Sequence, residues 1–208
     1  MIELSNIKVM NFENAIRGMR NPLNSWSKSD SYTNENGVFV MGENDLALAV
    51  KLAKAGSDHR KFLRQILVSV DILAPLYWWK EFDTYKVGTV ANSCSTMHKI
   101  HAKEFTLDDF SCEHLTGTAF VVLEMVITEL NHQRSAFLST KDKEYWHNMI
   151  QLLPTSYNQL RTVTLNYEVL RNIHHAREFH KLNEWRELCK QIETLPYSEL
   201  FTGKEIDK

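Results

Sequence analysis

Residues 153–185 read LPTSYNQLRTVTLNYEVLRNIHHAREFHKLNEW, and this stretch says most about the fold. Pro154 marks a boundary, and the apolar residues after it recur at spacings that predict one helix over residues 155 to about 180. On such a helix, Asn166 and Arg177 would differ by about 20° in rotation and by roughly 16 Å along the axis. The pattern leaves open an ordinary amphipathic helix with solvated polar residues and an apolar face of Leu160, Val163, Tyr167 and Leu170.

The same stretch resembles the flavin-dependent thymidylate synthases. That family has a Leu-Pro pair before a long helix, two Asn residues six positions apart, and an Arg eleven positions after the first Asn. The matching or nearly matching residues here are Pro154, Asn166, Asn172, Arg177, His180 and Trp185. The resemblance implies that Asn166, Asn172 and His180 contact FAD. It also implies that Arg177 is the catalytic residue that holds and polarises the pyrimidine of dUMP, and that Arg161 meets the phosphate.

A second family signature is only partly present. It runs Arg-His-Arg, two residues, Ser, one residue, Asn-Glu, one residue, Ser, one residue, Arg-Tyr, and it corresponds here to residues 85–98. Asn92 and Ser95 match, which implies a flavin contact for Asn92 and a substrate contact for Ser95. Tyr85-Lys86-Val87 replaces the Arg-His-Arg triplet, so that Lys86 alone offers charge to a phosphate, without the planar fork of Arg.

Upstream, His59 matches a flavin-contacting His of the family, whereas Arg64-Gln65 replaces the Glu-His pair that follows it. The resemblance implies an α+β, helix-rich single domain over residues 1–208 with a small antiparallel sheet, assembled as a homotetramer with sites between subunits. It implies methylation of dUMP to dTMP with methylenetetrahydrofolate, reduced FAD and NADPH. A catalytically silent nucleotide- or flavin-binding homologue and a structural or partner-binding protein are the alternatives.

A polar loop over residues 17–37 clusters hydrogen-bond donors around Trp26. Arg20 and its neighbours could clamp a phosphate and so replace the missing arginines of the family signature. A solvated surface loop explains the same composition equally well.

Composition narrows the class of protein. The 208 residues carry a formal net charge of −2, which argues against a general nucleic-acid binder. The longest apolar run, at residues 119–123, is too short for a membrane span, and the first residues lack the pattern of a signal peptide. Three cysteines without a CxxC motif make a disulfide framework improbable and predict a cytoplasmic protein.

Three further motifs have both a functional and a structural interpretation. His98-x-x-His101 with Glu104, and Cys112-x-His114, have no recognised zinc spacing, so chance pairing among nine histidines is the better explanation. Cys94 has no base that the sequence can assign as its partner. Tyr77-Trp78-Trp79 could stack on a planar ligand, although burial in the core is the commoner fate of such a run.

Periodicity and turn residues predict the other elements. Strands are expected at residues 2–9 and 65–72, and helices at residues 43–55, 76–85, 116–138, 141–153 and 183–194. In the segment 116–138, the β-branched pair Val121-Val122 leaves a strand open as the alternative. Asn44 or Asp45 would cap the first of these helices, and Gly56 would end it.

Overall fold

The computed structural model describes residues 1–204 of the chain. Among these residues the helices are α1 Phe12–Met19, α2 Glu43–Lys54, α3 Leu76–Phe82, α4 Thr118–Thr140, α5 Lys143–Leu152, α6 Tyr167–Arg177, α7 Asn183–Ile192 and α8 Glu199–Thr202. The strands are β1 Glu3–Met10, β2 Tyr32–Thr33, β3 Phe39–Val40, β4 Leu67–Pro75, β5 Val90–Ser93 and β6 Asn158–Asn166. Short 3₁₀ turns cover Asn21–Leu23, Trp26–Lys28, Arg60–Gln65, Asp83–Tyr85 and Leu107–Asp109.

Four strands form a small sheet in the order β1-β4-β6-β5. Strands β2 and β3 form a separate antiparallel pair, in which Tyr32 faces Val40 and Thr33 faces Phe39. In β4 the buried residues Val68, Val70 and Ile72 alternate with more exposed ones, as expected of a strand that packs on one face. The expected fold class, a helix-rich α+β protein with a small antiparallel sheet, is confirmed.

The prediction of one long helix after Pro154 is wrong. Residues Asn158–Asn166 form strand β6, and helix α6 begins only at Tyr167. Thr162, Val163 and Thr164 are β-branched and therefore favour an extended backbone, and Val163 and Leu165 are buried two positions apart, which is the strand period. The rotation calculated for Asn166 on a continuous helix therefore does not apply.

The other predicted helices are confirmed with shifted ends. Helix α2 is capped by Gly42 rather than by Asn44 or Asp45. The carboxylate of Asp30 accepts hydrogen bonds from the backbone N–H groups of Asn44 and Asp45, at 2.8 and 3.0 Å, and so satisfies two donors of the first turn from outside the helix. Ala55 is the C-cap, and Gly56 follows it with a φ of 110°.

Backbone contacts divide the chain into two compact units that alternate along the sequence. We call residues 1–3, 72–84 and 92–162 the first unit, and residues 4–71, 85–91 and 163–208 the second unit, of which residues up to 204 are described. The core of the first unit includes a cluster of Ile100, Phe105, Phe110, Leu123, Ile127, Leu130 and Met149. Trp78 and Trp79 are fully buried there, which confirms the structural interpretation of that aromatic run.

Buried aromatic side chains also organise the second unit. The ring of Tyr167 lies edge-on to Phe12 and to Phe201, with centroids 5.6 and 4.9 Å apart. Burial raises the pKa of Tyr167, whose hydroxyl donates to the carbonyl of Pro196. Tyr167 follows Asn166 directly, so this packing fixes the start of α6, the helix that carries Arg177. Within residues 1–204, no helix is long and apolar enough to cross a membrane.

Candidate functional site

Arg177 is the last residue of α6 and lies between two aromatic side chains of the second unit. Its guanidinium carbon is 4.7 Å from the ring centre of Trp185 and 5.7 Å from that of Tyr85. Its Nε donates a 3.0 Å hydrogen bond to the hydroxyl of Tyr85. Trp185 is fully buried, so one wall of this arrangement is rigid. The planar fork of Arg177 is therefore held in a defined orientation while its side chain stays only partly buried.

His180 lies beside this arginine. Its ring is edge-on to Trp185 at 6.3 Å, and its Nδ1 accepts a hydrogen bond from the backbone N–H of Leu182. Its backbone N–H donates to the carbonyl of Arg177, at 3.0 Å. The structure thus brings together two of the predicted site residues, Arg177 and His180, around one buried indole.

Asn166 ends β6 and caps α6. Its Oδ1 accepts the backbone N–H of Val169 at 3.0 Å, and only 8% of the residue is exposed. Gly88 lies directly over this amide, since a Cβ placed on Gly88 would be 3.0 Å from Nδ2 of Asn166 and 3.3 Å from Cγ2 of Val169. The Oδ1 of Asn166 therefore caps α6, and the predicted contact of Asn166 with FAD would have to use its Nδ2.

Three other predicted site residues of the second unit are exposed: Asn172, His59 and Lys86. Asn172 lies within α6, and His59 comes directly before the 3₁₀ turn Arg60–Gln65. Arg60 anchors that turn to α6 through both carboxylate oxygens of Glu168, at 3.0 and 3.1 Å. No contact in the described residues joins Asn172, His59 and Lys86 to one another.

Arg161, on β6 in the first unit, is held in a comparable way. Its guanidinium carbon is 4.3 Å from the ring centre of Trp79, its Nη1 is 3.1 Å from a carboxylate oxygen of Asp83, and its Nε donates to Gln159 at 3.0 Å. The ring N–H of Trp79 donates to the carbonyl of Gln159 at 2.9 Å. Its side chain is 16% exposed, and its charge is partly neutralised by Asp83.

Ser95 and Asn92 lie near the end of β5, in the first unit, and both are exposed. The hydroxyl of Ser95 accepts the backbone N–H groups of Met97 and His98, at 3.2 and 2.9 Å. The amide of Gln159 donates to the carbonyl of Cys94 at 2.7 Å. Gln159 therefore connects the Arg161 side chain to the backbone directly before Ser95.

Arg20, a predicted substrate contact, is 4% exposed and forms an ion pair with fully buried Asp45. Asp45 also accepts the hydroxyls of Ser29 and Ser31, each at 2.6 Å. Burial raises the pKa of Asp45, but these hydrogen bonds and Arg20 outweigh it and hold that pKa below its ordinary value. The carboxylate of Asp45 therefore holds the polar loop of residues 17–37 in place, which favours a structural role for Arg20.

One group of side chains among residues 1–204 has metal-ligand spacing, and it is not among those singled out from the sequence. Ligand atoms of His174, Glu178 and Glu193 lie within 4.8 Å of one another. The ammonium of Lys204 bonds to both carboxylates, at 3.3 and 2.6 Å, and would compete with a metal ion for them. Burial raises the pKa of Glu193, but hydrogen bonds from His174 and Lys204 together lower it by more. The pKa of Glu193 therefore lies below its ordinary value.

Sequence reasoning missed two side chains that orient the arginines, Tyr85 and Trp79. In the sequence Tyr85 stands out only as a replacement for an Arg of the family signature, and its contact with Arg177 joins residues 92 positions apart. Trp79 was expected in the core, where it lies, and it also stacks with Arg161. No local pattern signals either contact.

Comparison with known proteins identifies the fold. No protein-family model and no curated protein matches the sequence. Among solved structures, Thymidylate Synthase X from Helicobacter pylori with FAD and dUMP matches with a TM-score of 0.71 and 16% identity, over 97% of both chains. Another structure of flavin-dependent thymidylate synthase from Helicobacter pylori, complexed with FAD and dUMP, matches with a TM-score of 0.70 and 17% identity, over 96% of this chain and 99% of the other. The chain therefore has the fold of the flavin-dependent thymidylate synthases.

Proposed function

We propose that this chain is a flavin-dependent thymidylate synthase-like protein that binds dUMP through Arg177. The observation that carries the proposal is the guanidinium of Arg177, which is held between Trp185 and Tyr85. Arg177 is the residue that the sequence resemblance assigns to the contact with the pyrimidine. The fold supports it, because both neighbours above were solved with FAD and dUMP.

The chemistry proposed for Arg177 is electrostatic. A guanidinium presents N–H donors that suit a carbonyl oxygen of uracil, and it stabilises negative charge that develops on the ring. Its restraint by Trp185 and Tyr85 reduces the entropy lost when the pyrimidine binds. Arg161 and Ser95, with Lys86, are proposed to meet the phosphate of dUMP. Arg20 is retained as a weaker candidate because it is already paired with Asp45.

The residues proposed to hold FAD fit that cofactor in part. Asn172, His59 and Asn92 are exposed polar side chains, whereas the oxygen of Asn166 is committed to its helix cap. When bound, reduced FAD would supply hydride, methylenetetrahydrofolate would supply the carbon, and NADPH would reduce the flavin. Lys86 is the one charged residue where the family has Arg-His-Arg. Since each lost charge-assisted contact forfeits on the order of 1.5–3 kcal/mol, we expect FAD to bind less tightly than is usual in the family.

A silent nucleotide- or flavin-binding homologue is the second candidate. The observation that favours it is the substituted triplet, in which the Tyr85 hydroxyl is already engaged by Arg177. Such a protein would keep the binding of dUMP and lose turnover.

We also propose a homotetramer, with sites completed by neighbouring subunits. The support is an apolar patch on α4 in the first unit, where Val121, Val122 and Met125 are 52, 56 and 66% exposed. Val122 and Val121 lie three and four positions before Met125, so each neighbours Met125 on the helix surface. An exposed patch of this kind is typical of a protein interface.

One set of measurements separates these functions. The absorption spectrum of the purified protein, followed by titration with FAD, reports flavin binding. Calorimetry reports dUMP binding, and turnover is measured with dUMP, methylenetetrahydrofolate, FAD and NADPH. Turnover supports the enzyme, and binding without turnover supports the silent homologue. Failure to bind either ligand would contradict both.

A further inference from the structure

A pocket of about 480 Å³ lies in the first unit, where the loop at residues 97–101 meets the end of α4 and the start of α5. Its polar lining consists of the imidazoles of His98, His101 and His147 and the ammonium of Lys143. Phe137 and Trp146 form its aromatic walls. Of the described residues that line it, none is Asp or Glu. Its volume is in the usual range for a small-molecule pocket, about 300–1,000 Å³.

His101 borders the pocket and is held in place by its neighbours. Its ring lies edge-on to Phe137 at 4.9 Å, and its carbonyl accepts Nε of Arg134 at 3.0 Å. Its Nδ1 has no hydrogen-bond partner within residues 1–204 and is closed off from solvent, so His101 contributes to the wall of the pocket rather than to its polar contacts.

The walls are also held in place without a ligand. The indole N–H of Trp146 donates to the carbonyl of Met97 at 2.9 Å, which fastens the loop at residues 97–101 to α5. Lys143 and His147 are four residues apart on α5, so their side chains lie on the same side of that helix. Both are exposed, and they can approach a ligand without disturbing the core.

We propose that this pocket binds a small organic anion that carries a planar ring. His98, His147 and Lys143, which are exposed, would donate hydrogen bonds to the anionic end, such as a phosphate ester or a carboxylate, and Phe137 and Trp146 would flank the ring. A metal ion does not fit these histidines, because no group of three ligands forms here among the described residues. None of the residues proposed above for FAD or dUMP lines this pocket, but Ser95 accepts hydrogen bonds from the backbone of its lining residues Met97 and His98.

Calorimetry of the full chain in a buffer free of other multivalent anions tests the proposal, with phenyl phosphate as the probe and inorganic phosphate and phenol as separate arms. We expect phenyl phosphate to bind at least about tenfold more tightly than either fragment, because only it uses both halves of the pocket. Lys143→Ala and His147→Gln should each weaken its binding by roughly tenfold. The matched control is His132→Gln on α4, whose side chain is 69% exposed and paired with Glu129 outside the pocket, and it should leave the affinity unchanged.

The position of the probe is read from the histidine ring signals in NMR spectra. The signals of His98, His101 and His147 should shift with phenyl phosphate, while that of His132 should not. Absence of binding, or equal affinity in wild type and in both pocket variants, would overturn the proposal. Loss of probe binding in Arg177→Ala would overturn it as well, since the probe would then occupy the proposed dUMP site.

Discussion

Arg177 shows how tertiary contacts can fix the orientation of a single side chain that stays partly exposed. It is the last residue of α6, and the rings of Tyr85 and Trp185 contact its guanidinium group and fix its orientation. The sequence could predict its importance because its spacing from Asn166 and Asn172 resembles that of a known family. It could not predict Tyr85, because that contact is formed by the tertiary structure alone.

We expect Arg177→Ala to abolish dUMP binding while the protein stays folded. The lost cation–π contact and hydrogen bond should cost about 1–2 kcal/mol in the free energy of unfolding. Arg177→Lys should rescue binding poorly, because Lys keeps the charge without the planar fork. Thermal melting and dUMP calorimetry on the same preparations check both expectations.

Tyr85→Phe is the matched control, since it removes only the hydroxyl that accepts from Arg177 and keeps the ring. It should weaken dUMP binding by less than Arg177→Ala does. A collapsed fold in Arg177→Ala would identify a structural residue. Unchanged dUMP binding would contradict the assignment of this helix to the substrate.

Asp45 makes a second prediction at the residue scale, on acid stability. Its pKa in the folded protein lies below the ordinary value of 3.8, so the ionised carboxylate stabilises the fold above that value, and this stabilisation is lost as the pH falls through the folded pKa. Asp45→Asn removes the titrating group. The difference in free energy of unfolding between wild type and Asp45→Asn should therefore be largest near neutral pH and shrink below pH 3.8.

Urea unfolding at several pH values measures this difference, and a gap that stays constant with pH would contradict it. In the same assay, Arg20→Ala should cost about 3–5 kcal/mol, because it leaves the buried carboxylate without its ion-pair partner. If Arg20→Ala instead kept its stability and lost dUMP binding, the substrate contact expected from the sequence would be supported.

At the scale of the elements, the sequence predicted some segments well and one poorly. Helices α4 and α7 lie where apolar periodicity places them, because their buried residues recur at helical spacing: Leu123, Ile127 and Leu130 in α4, and Trp185, Leu188, Cys189 and Ile192 in α7. The segment that forms β6 has apolar residues at 160, 163 and 165, and over so short a run the helix and strand periods overlap. Tertiary burial of Val163 and Leu165 decides in favour of the strand.

The start of α6 depends on close packing between Gly88 and the Asn166 cap. Gly88 has a φ of 81°, and an added Cβ would lie 3.0 Å from Nδ2 of Asn166. Gly37 has a similar φ of 74° with no atom within 4 Å of an added Cβ. The stability lost in Gly37→Ala therefore reflects backbone strain alone. We expect Gly37→Ala to cost about 1 kcal/mol and Gly88→Ala about 1 kcal/mol more. Chemical denaturation of both variants measures the difference, and equal losses would show that Asn166 moves aside freely.

At the scale of the whole molecule, the question is whether the apolar patch on α4 is covered by another subunit. Val122 is 56% exposed there, and the patch includes its neighbours Val121 and Met125. Burial of such side chains stabilises an assembly by roughly 25 cal/mol for each Å² removed from water, and a charge in the same place opposes it. We therefore expect wild type to sediment as an oligomer at micromolar concentration, and Val122→Glu to dissociate it.

Val38 provides the matched control, because it is also 56% exposed and lies next to β3, in the second unit. Val38→Glu carries the same change of charge and should sediment like wild type. Glu has a higher helix propensity than Val, so dissociation of Val122→Glu would not be explained by a weakened helix. A monomeric wild type, or equal dissociation of both variants, would contradict an interface on α4 and with it the argument for sites between subunits.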